Sequence, residues 1–156
     1  MNTLHNQRIA LRLINACLRE DVRNLLSLGR IEANEGRTFL VFDHLPTACR
    51  IEVKESPSMQ THRATNPHWE IRQHGQWVEQ HGARQWIRFL AQGLPEDSAA
   101  LYRNYELEVQ AAIDQTVLCD QTYTEQQHQL NFNDSPRNWA ERMLHADQMA
   151  SFLDHP

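Results

Sequence analysis

The stretch RIEANEGRTFLVFD, residues 30–43, decides the fold class of this chain. Its two halves, 30–34 and 37–43, have the two-residue period of strands, in which side chains alternate between faces. Between them lies a short loop with Gly36, and glycine readily adopts the positive φ that hairpin turns often need. The stretch is therefore predicted to be a β-hairpin.

More strand patterns follow this hairpin. Residues 50–54, RIEVK, alternate cleanly, as in a strand with one solvated face. Residues 68–73 and 76–80 predict a second hairpin, whose apolar side is formed by Trp69, Ile71 and Trp77. The polar stretch 55–67 has two prolines and no period, so it is predicted to be a loop. Together these patterns predict an antiparallel sheet of four or five strands.

A helical pattern precedes the first hairpin. Its apolar residues recur three, four or seven positions apart, which places them on one helix face. They are Leu4, Leu11, Ile14, Leu18, Val22 and Leu25. Gly29 is the expected stop signal, because glycine reaches the left-handed conformation that ends helices at little cost.

Two helices are predicted directly after the sheet. A short one begins near Ala83 and ends before Gly93 and Pro95. A long one runs from Ser98, its expected N-cap, to about residue 128. Its predicted buried face comprises Leu101, Tyr105, Val109, Ala112, Thr116 and Val117, whereas its solvent side holds Glu106 and Glu108.

A last helix is predicted after the polar stretch 126–134, which is expected to break the long one. Ser135 would cap it, and Pro136 would occupy the first helical position, where a missing N–H costs nothing. Its buried stripe comprises Trp139, Met143, Ala146, Met149 or Ala150, and Leu153. The order of helix, antiparallel strands and helices predicts a single α+β domain over residues 1–156.

Composition excludes several classes of function. The chain has 156 residues, a formal net charge of -5 and no run of lysine or arginine, so no nucleic-acid partner is expected. No apolar run is long enough to cross a bilayer, and residues 1–12 lack the layout of a signal peptide. A cytoplasmic protein without a membrane partner is therefore expected. The three cysteines are far apart, which predicts reduced, buried thiols rather than disulfides or metal ligands.

Sequence motifs for catalysis are absent. The chain has no phosphate-binding P-loop, no dinucleotide fingerprint, no H-E-x-x-H and no nucleophile elbow. Asp43 and His44 are adjacent on a predicted strand, so their side chains should point to opposite faces and not form an acid–base pair. Nine histidines are present, but His62, His68, His74 and His81 lie six or seven apart without a cysteine or acid pair to complete a ligand set. No catalytic residue and no metal site is predicted.

The final third of the chain carries a family resemblance. Residues 101–108, LYRNYELE, lead into the long helix, and residues 139–144, WAERML, and 151–156, SFLDHP, follow. Together they resemble the approach to the signature of NRPS-independent siderophore synthetases of the aerobactin-synthetase (IucA/IucC) family. In that family a helix delivers a Gly-His-Pro element, followed by a second His-Pro and by basic residues. Residues 12–20, RLINACLRE, are similar to the family's first helix, and Asp154 stands where glycine is usual.

The resemblance implies an enzyme that activates a citrate-type carboxylate with Mg-ATP. An amine, hydroxylamine or alcohol then attacks the acyl-adenylate and forms an amide or ester. Most nucleotide-binding residues of the family lie after the His-Pro element, so the resemblance assigns this role here to His155 alone. It also implies that ATP and Mg are cofactors of the full-length parent enzyme and not of this chain by itself. The implied partners are the remainder of the synthetase and a second copy in a homodimer.

Two functions therefore compete at the level of sequence. In the first, the chain is the N-terminal segment of a siderophore synthetase, ends within the signature and is inactive alone. In the second, it is a stand-alone α+β module that binds another molecule without catalysis.

Overall fold

The computed structural model describes residues 2–56 and 62–132, together with 141, 143, 144 and 147. Helix α1 (Asn2–Arg19) precedes the sheet, and helices α2 (Ala83–Ala91) and α3 (Glu96–Phe132) follow it. Within these residues the strands are β1 (Arg30–Asn34), β2 (Arg37–Phe42), β3 (Cys49–Glu55), β4 (His62–Ala64), β5 (His68–Gln73) and β6 (Gln76–His81). The predicted α+β order is confirmed.

The sheet is antiparallel throughout, in the order β1-β2-β3-β5-β6. Both predicted hairpins are present, with Asn34 paired to Arg37 in the first and Gln73 paired to Gln76 in the second. Strand β4 corrects the prediction of a loop over 55–67, because it pairs with the end of β3 from Val53 to Glu55. A three-residue strand is too short to show a period, so its pairing is visible only in the fold.

The helices cover one face of the sheet. That face supplies Leu40, Phe42, Cys49, Ile51, Val53, Ala64 and Trp69 to the core. Trp69 meets Trp86 of α2 edge to face, with ring centroids 5.1 Å apart. Such aromatic pairs add to the free energy of burial, so this contact anchors α2 on the sheet.

The opposite face of the sheet is built around Arg50. Its guanidinium carbon lies 4.3 Å from the ring centroid of Phe39 and 4.7 Å from that of Trp77. The prediction that Trp77 shares the apolar side of its hairpin is therefore wrong. The register pairs Trp77 with Arg72, which puts it on the face away from Trp69.

The first helix is shorter than predicted. It ends at Arg19, and positive φ values then occur at Asp21, Arg23 and Asn24 rather than at Gly29. The carboxylate of Asp21 accepts hydrogen bonds from the N–H groups of residues 26 and 27, which holds the turn. Gly29 is needed for space instead, since a Cβ there would lie 2.4 Å from the carbonyl oxygen of Leu25.

Helix α3 begins before the predicted cap and continues past the predicted break. The carbonyl of Pro95 accepts the first-turn bond from the N–H of Ala99, so Ser98 lies inside the helix and is not its N-cap. The helix continues to Phe132, because glutamines and other polar residues without glycine or proline do not interrupt a solvated helix. The predicted cap at Ser135 and Pro136 lies outside the described residues, as do Trp139, Ala146, Met149, Ala150 and Leu153.

The buried side of α3 also differs from the prediction. Leu101 and Tyr105 are exposed, while Glu106, Val109 and Ile113 are buried. Glu106 is only 7% exposed, because it lies between Arg84 and Arg88 of α2. The assignment of Glu106 to solvent is therefore wrong, and that of Glu108 is right. When the buried face is assigned from apolar residues alone, a buried charged residue such as Glu106 shifts the predicted face around the helix.

Membrane insertion finds no support in the described helices, none of which combines the length and hydrophobicity that a bilayer-spanning segment requires.

Candidate functional site

An apolar groove lies between α1 and α3 in the described part of the chain. Its first part has a volume of about 360 Å³. The walls come from α1, α2 and α3 and include Leu13, Cys17, Leu90, Leu101 and Tyr102. Because Leu101 is 69% exposed, the groove opens directly to solvent along α3.

Tyr105 joins this part of the groove to a second one further along the same two helices. The second part also has a volume of about 360 Å³ and is lined by Ile9, Leu13, Val109 and Ala112. Together the two parts form what we call the α1–α3 groove. The two helices that form it run antiparallel, so that early residues of α1 lie beside late residues of α3. His5, for example, contacts Asp120 at 3.4 Å.

Polar groups lie mainly at the rim of the α1–α3 groove. Glu20 borders the first part, and Arg12 and Glu108 border the second. Desolvation raises the pKa of Tyr102 and of Tyr105, so both phenols are neutral at physiological pH. A wall of leucine, alanine and neutral tyrosine suits an apolar occupant with a few polar contacts at its edge.

Cys17 lines the α1–α3 groove, and its thiol is buried. Burial raises the pKa of the Cys17 thiol, and only the thiolate attacks efficiently. A raised pKa keeps the Cys17 thiol protonated at neutral pH, which disfavours its use as a nucleophile.

The predicted site residues are distributed as follows. His155 lies outside the described residues, so its assignment stays a prediction. Asp43 pairs with Arg30 at 3.2 Å, whereas Nε2 of His44 lies 3.0 Å from the carbonyl oxygen of Arg23. The two neighbours are thus engaged separately. Cys17 and Cys49 are buried as predicted, Cys119 is half-buried, and all three thiols are free.

The prediction that Met143 lies in the buried stripe of the last helix is wrong, because its side chain is exposed. Met143 and Leu144 are 45% and 62% exposed, while Phe152 and Leu153 lie outside the described residues. The sequence did not predict the exposed apolar residues of α3, because its helical pattern assigned Leu101 and Tyr105 to the core.

One group of described side chains could hold a metal ion. One ligand atom each from His68, Glu79 and His81 lie within 4.8 Å of one another on the second hairpin. The prediction of no metal site considered a cysteine or a pair of acids beside the histidines, and not the single Glu79 beside His68 and His81. Chain spacing concealed the group, because two different strands contribute to it.

No family model matches the chain, and no curated protein does.

Proposed function

We propose that this chain is the N-terminal segment of an ATP-dependent siderophore synthetase of the aerobactin-synthetase type. In this proposal the parent enzyme condenses a citrate-type carboxylate with an amine, hydroxylamine or alcohol through an acyl-adenylate in the cytoplasm. The chain supplies a scaffold and His155, while ATP and Mg bind mainly to residues of the remaining enzyme.

The observation that carries the structural half of the proposal is the α1–α3 groove. Leu101, which is 69% exposed, and Tyr105 extend the apolar lining of the groove to the surface, and contiguous apolar surface of this kind often marks an interaction site. Contact with another apolar surface would bury both side chains and gain roughly 25 cal/mol for each Å² removed from water. The occupant we assign to the groove is an apolar segment of the remaining synthetase.

The sequence half of the proposal rests on residues 139–144 and 151–156, whose order after α3 resembles the family. An α+β unit with a helix before its sheet and helices after it is compatible with the family's N-terminal domain. The described side chains include no phosphate-binding P-loop, so nucleotide chemistry is assigned to the rest of the enzyme.

The deciding experiment is citrate-dependent exchange of labelled pyrophosphate into ATP. The 156-residue chain alone should neither exchange pyrophosphate nor hydrolyse ATP, while the full reading frame containing it should exchange. Within that frame, His155→Ala should weaken ATP binding and His74→Asn, at an exposed turn, should not.

Strong exchange by the isolated chain would overturn the assignment of nucleotide chemistry to other residues. A frame that encodes no second His-Pro and no basic cluster would overturn the synthetase assignment. The α1–α3 groove would then belong to a stand-alone binding module, which is the second candidate function.

A further inference from the structure

We propose that His68, Glu79 and His81 form a binding site for a divalent transition metal ion of the zinc class. The site lies on the β5–β6 hairpin and belongs to neither the α1–α3 groove nor the nucleotide chemistry. It therefore does not depend on the synthetase assignment. It also replaces the expectation from sequence that the histidines hold no metal.

The backbone register creates the site. His68 of β5 lies directly opposite His81 of β6, and Glu79 precedes His81 by two positions on the same strand. Because side chains alternate along a strand, all three project from one face. Directly opposed residues have Cβ atoms roughly 4.5–5.5 Å apart, which is close enough for two imidazoles to share an ion.

The observed distances fit a metal with little rearrangement. Oε1 of Glu79 lies 2.8 Å from Nε2 of His81, and Oε2 lies 3.7 Å from Nε2 of His68. Two ligand atoms bound to one tetrahedral zinc at about 2.0–2.1 Å are about 3.3 Å apart. The observed values lie on either side of this separation. One ligand atom from each residue lies within 4.8 Å of the other two, so χ rotations of these side chains would bring three donors onto one ion.

The geometry of the two rings leaves room for this movement. The imidazoles of His68 and His81 meet edge to face, with centroids 5.8 Å apart and planes at 64°. Their side chains are 32% and 57% exposed, and that of Glu79 is 49% exposed. No core contact would have to break for the ligands to turn toward a common ion.

The donor set selects the class of metal. Two imidazole nitrogens and one carboxylate oxygen suit zinc, cobalt or ferrous iron, whereas magnesium and calcium prefer sites made only of oxygen. Three protein ligands leave at least one coordination position for water or an exogenous ligand. The neighbouring Glu70 is paired with Arg50, so Glu79 is the carboxylate free to turn toward the metal.

The test uses the tag-free chain in two titrations. Co²⁺ binding is followed by visible absorption, and Zn²⁺ binding is followed by calorimetry. One equivalent of each metal should bind, and bound Co²⁺ should lose the weak spectrum of its hydrated ion. Glu79→Gln and the double variant His68→Ala/His81→Ala should bind at least about tenfold more weakly. His74→Asn, on the same hairpin but outside the group, should bind like the original chain.

Each contrary result has a defined meaning. An unchanged hydrated-ion spectrum at one equivalent would overturn the site, and so would full binding by the double variant. Glu79→Gln keeps the shape and size of the side chain, so it still tests the proposal if the double variant fails to fold. Equal affinities for Glu79→Gln and the original chain would remove Glu79 from the ligand set and refute the proposed triad.

Discussion

Glu106 of α3 accepts two hydrogen bonds from the guanidinium of Arg88 on α2, at 2.9 Å from Nε and 2.6 Å from Nη2. Nε of Arg84, one turn earlier on α2, donates to the same carboxylate at 2.8 Å. Paired, charge-assisted bonds of this kind fix both distance and orientation. The long helix is therefore locked to the short one by a charge that lies inside its buried stripe.

Glu106→Gln should destabilise the chain by about 1–2 kcal/mol at neutral pH, since charge-assisted bonds are lost but the half-exposed arginines remain solvated. Urea unfolding measures this difference. Glu108→Gln, on the exposed side of the same helix, is the matched control and should change stability by less than about 0.5 kcal/mol.

The effect of Glu106 should also depend on pH. The hydrogen bond from Arg88, followed by that from Arg84, lowers the pKa of Glu106 despite its burial. Its stabilising contribution is then complete above the unfolded pKa and is lost as pH falls through the folded value. The stability difference between the original chain and Glu106→Gln should shrink below about pH 4.3, the ordinary pKa of glutamate. A difference that stays constant to pH 3 would contradict the lowered pKa.

Asn15→Leu should destabilise the chain by about 2–3 kcal/mol, because it leaves the buried N–H and carbonyl of Ala64 without their hydrogen-bond partner. The side chain of Asn15 accepts from the N–H of Ala64 at 2.9 Å and donates to its carbonyl at 3.3 Å, and Ala64 is buried. Amide hydrogen exchange at Ala64 should accelerate together with the loss of stability. Asn104→Leu, at an exposed position of α3, should leave both measurements nearly unchanged; comparable losses in the two variants would show that Asn15 has no special role.

Leu101→Asp should abolish association of the α1–α3 groove with apolar molecules, while Leu107→Asp should not. The two leucines are 69% and 66% exposed on the same helix, but only Leu101 lines the groove. Neither charge is buried, so both variants should keep the melting temperature of the original chain. Fluorescence of an apolar dye bound to the isolated chain, and assembly of the full frame, provide the readouts. Equal loss in both variants would mean that general surface hydrophobicity, and not the groove, drives binding.

Alkylation should modify Cys119 well before Cys17 or Cys49 in the folded chain. Burial raises the pKa of Cys17, and it raises that of Cys49 much further, with the charge of Glu70 adding to the effect. Cys119 is only half-buried on α3. Mass spectrometry after brief treatment with iodoacetamide at pH 8 should find one modified site, and three after denaturation. Early labelling of Cys49 would show that β3 opens readily.

The sequence predicted most helices and strands, but it did not predict the buried ion pair of Glu106 or the group of His68, Glu79 and His81. The two hairpins were found because alternation and a turn glycine are local signals that the backbone obeys without help from distant residues. The short strand β4 has no such signal. It depends on β3 and on the side chain of Asn15, which lies in another element.

The sequence by itself determined the order of the elements, the period of each long one and the absence of common catalytic motifs. Tertiary structure alone decided that Glu106 is buried, that Trp77 faces away from the helices and that His68, Glu79 and His81 meet. Periodicity reports whether a residue lies on one face of its own element. It does not report which distant arginine will pair with a charge on that face, or which side chains a strand register will place opposite each other. The first depends on how α3 packs against α2, and the second on the turn at His74 and Gly75, which sets the register of β5 and β6.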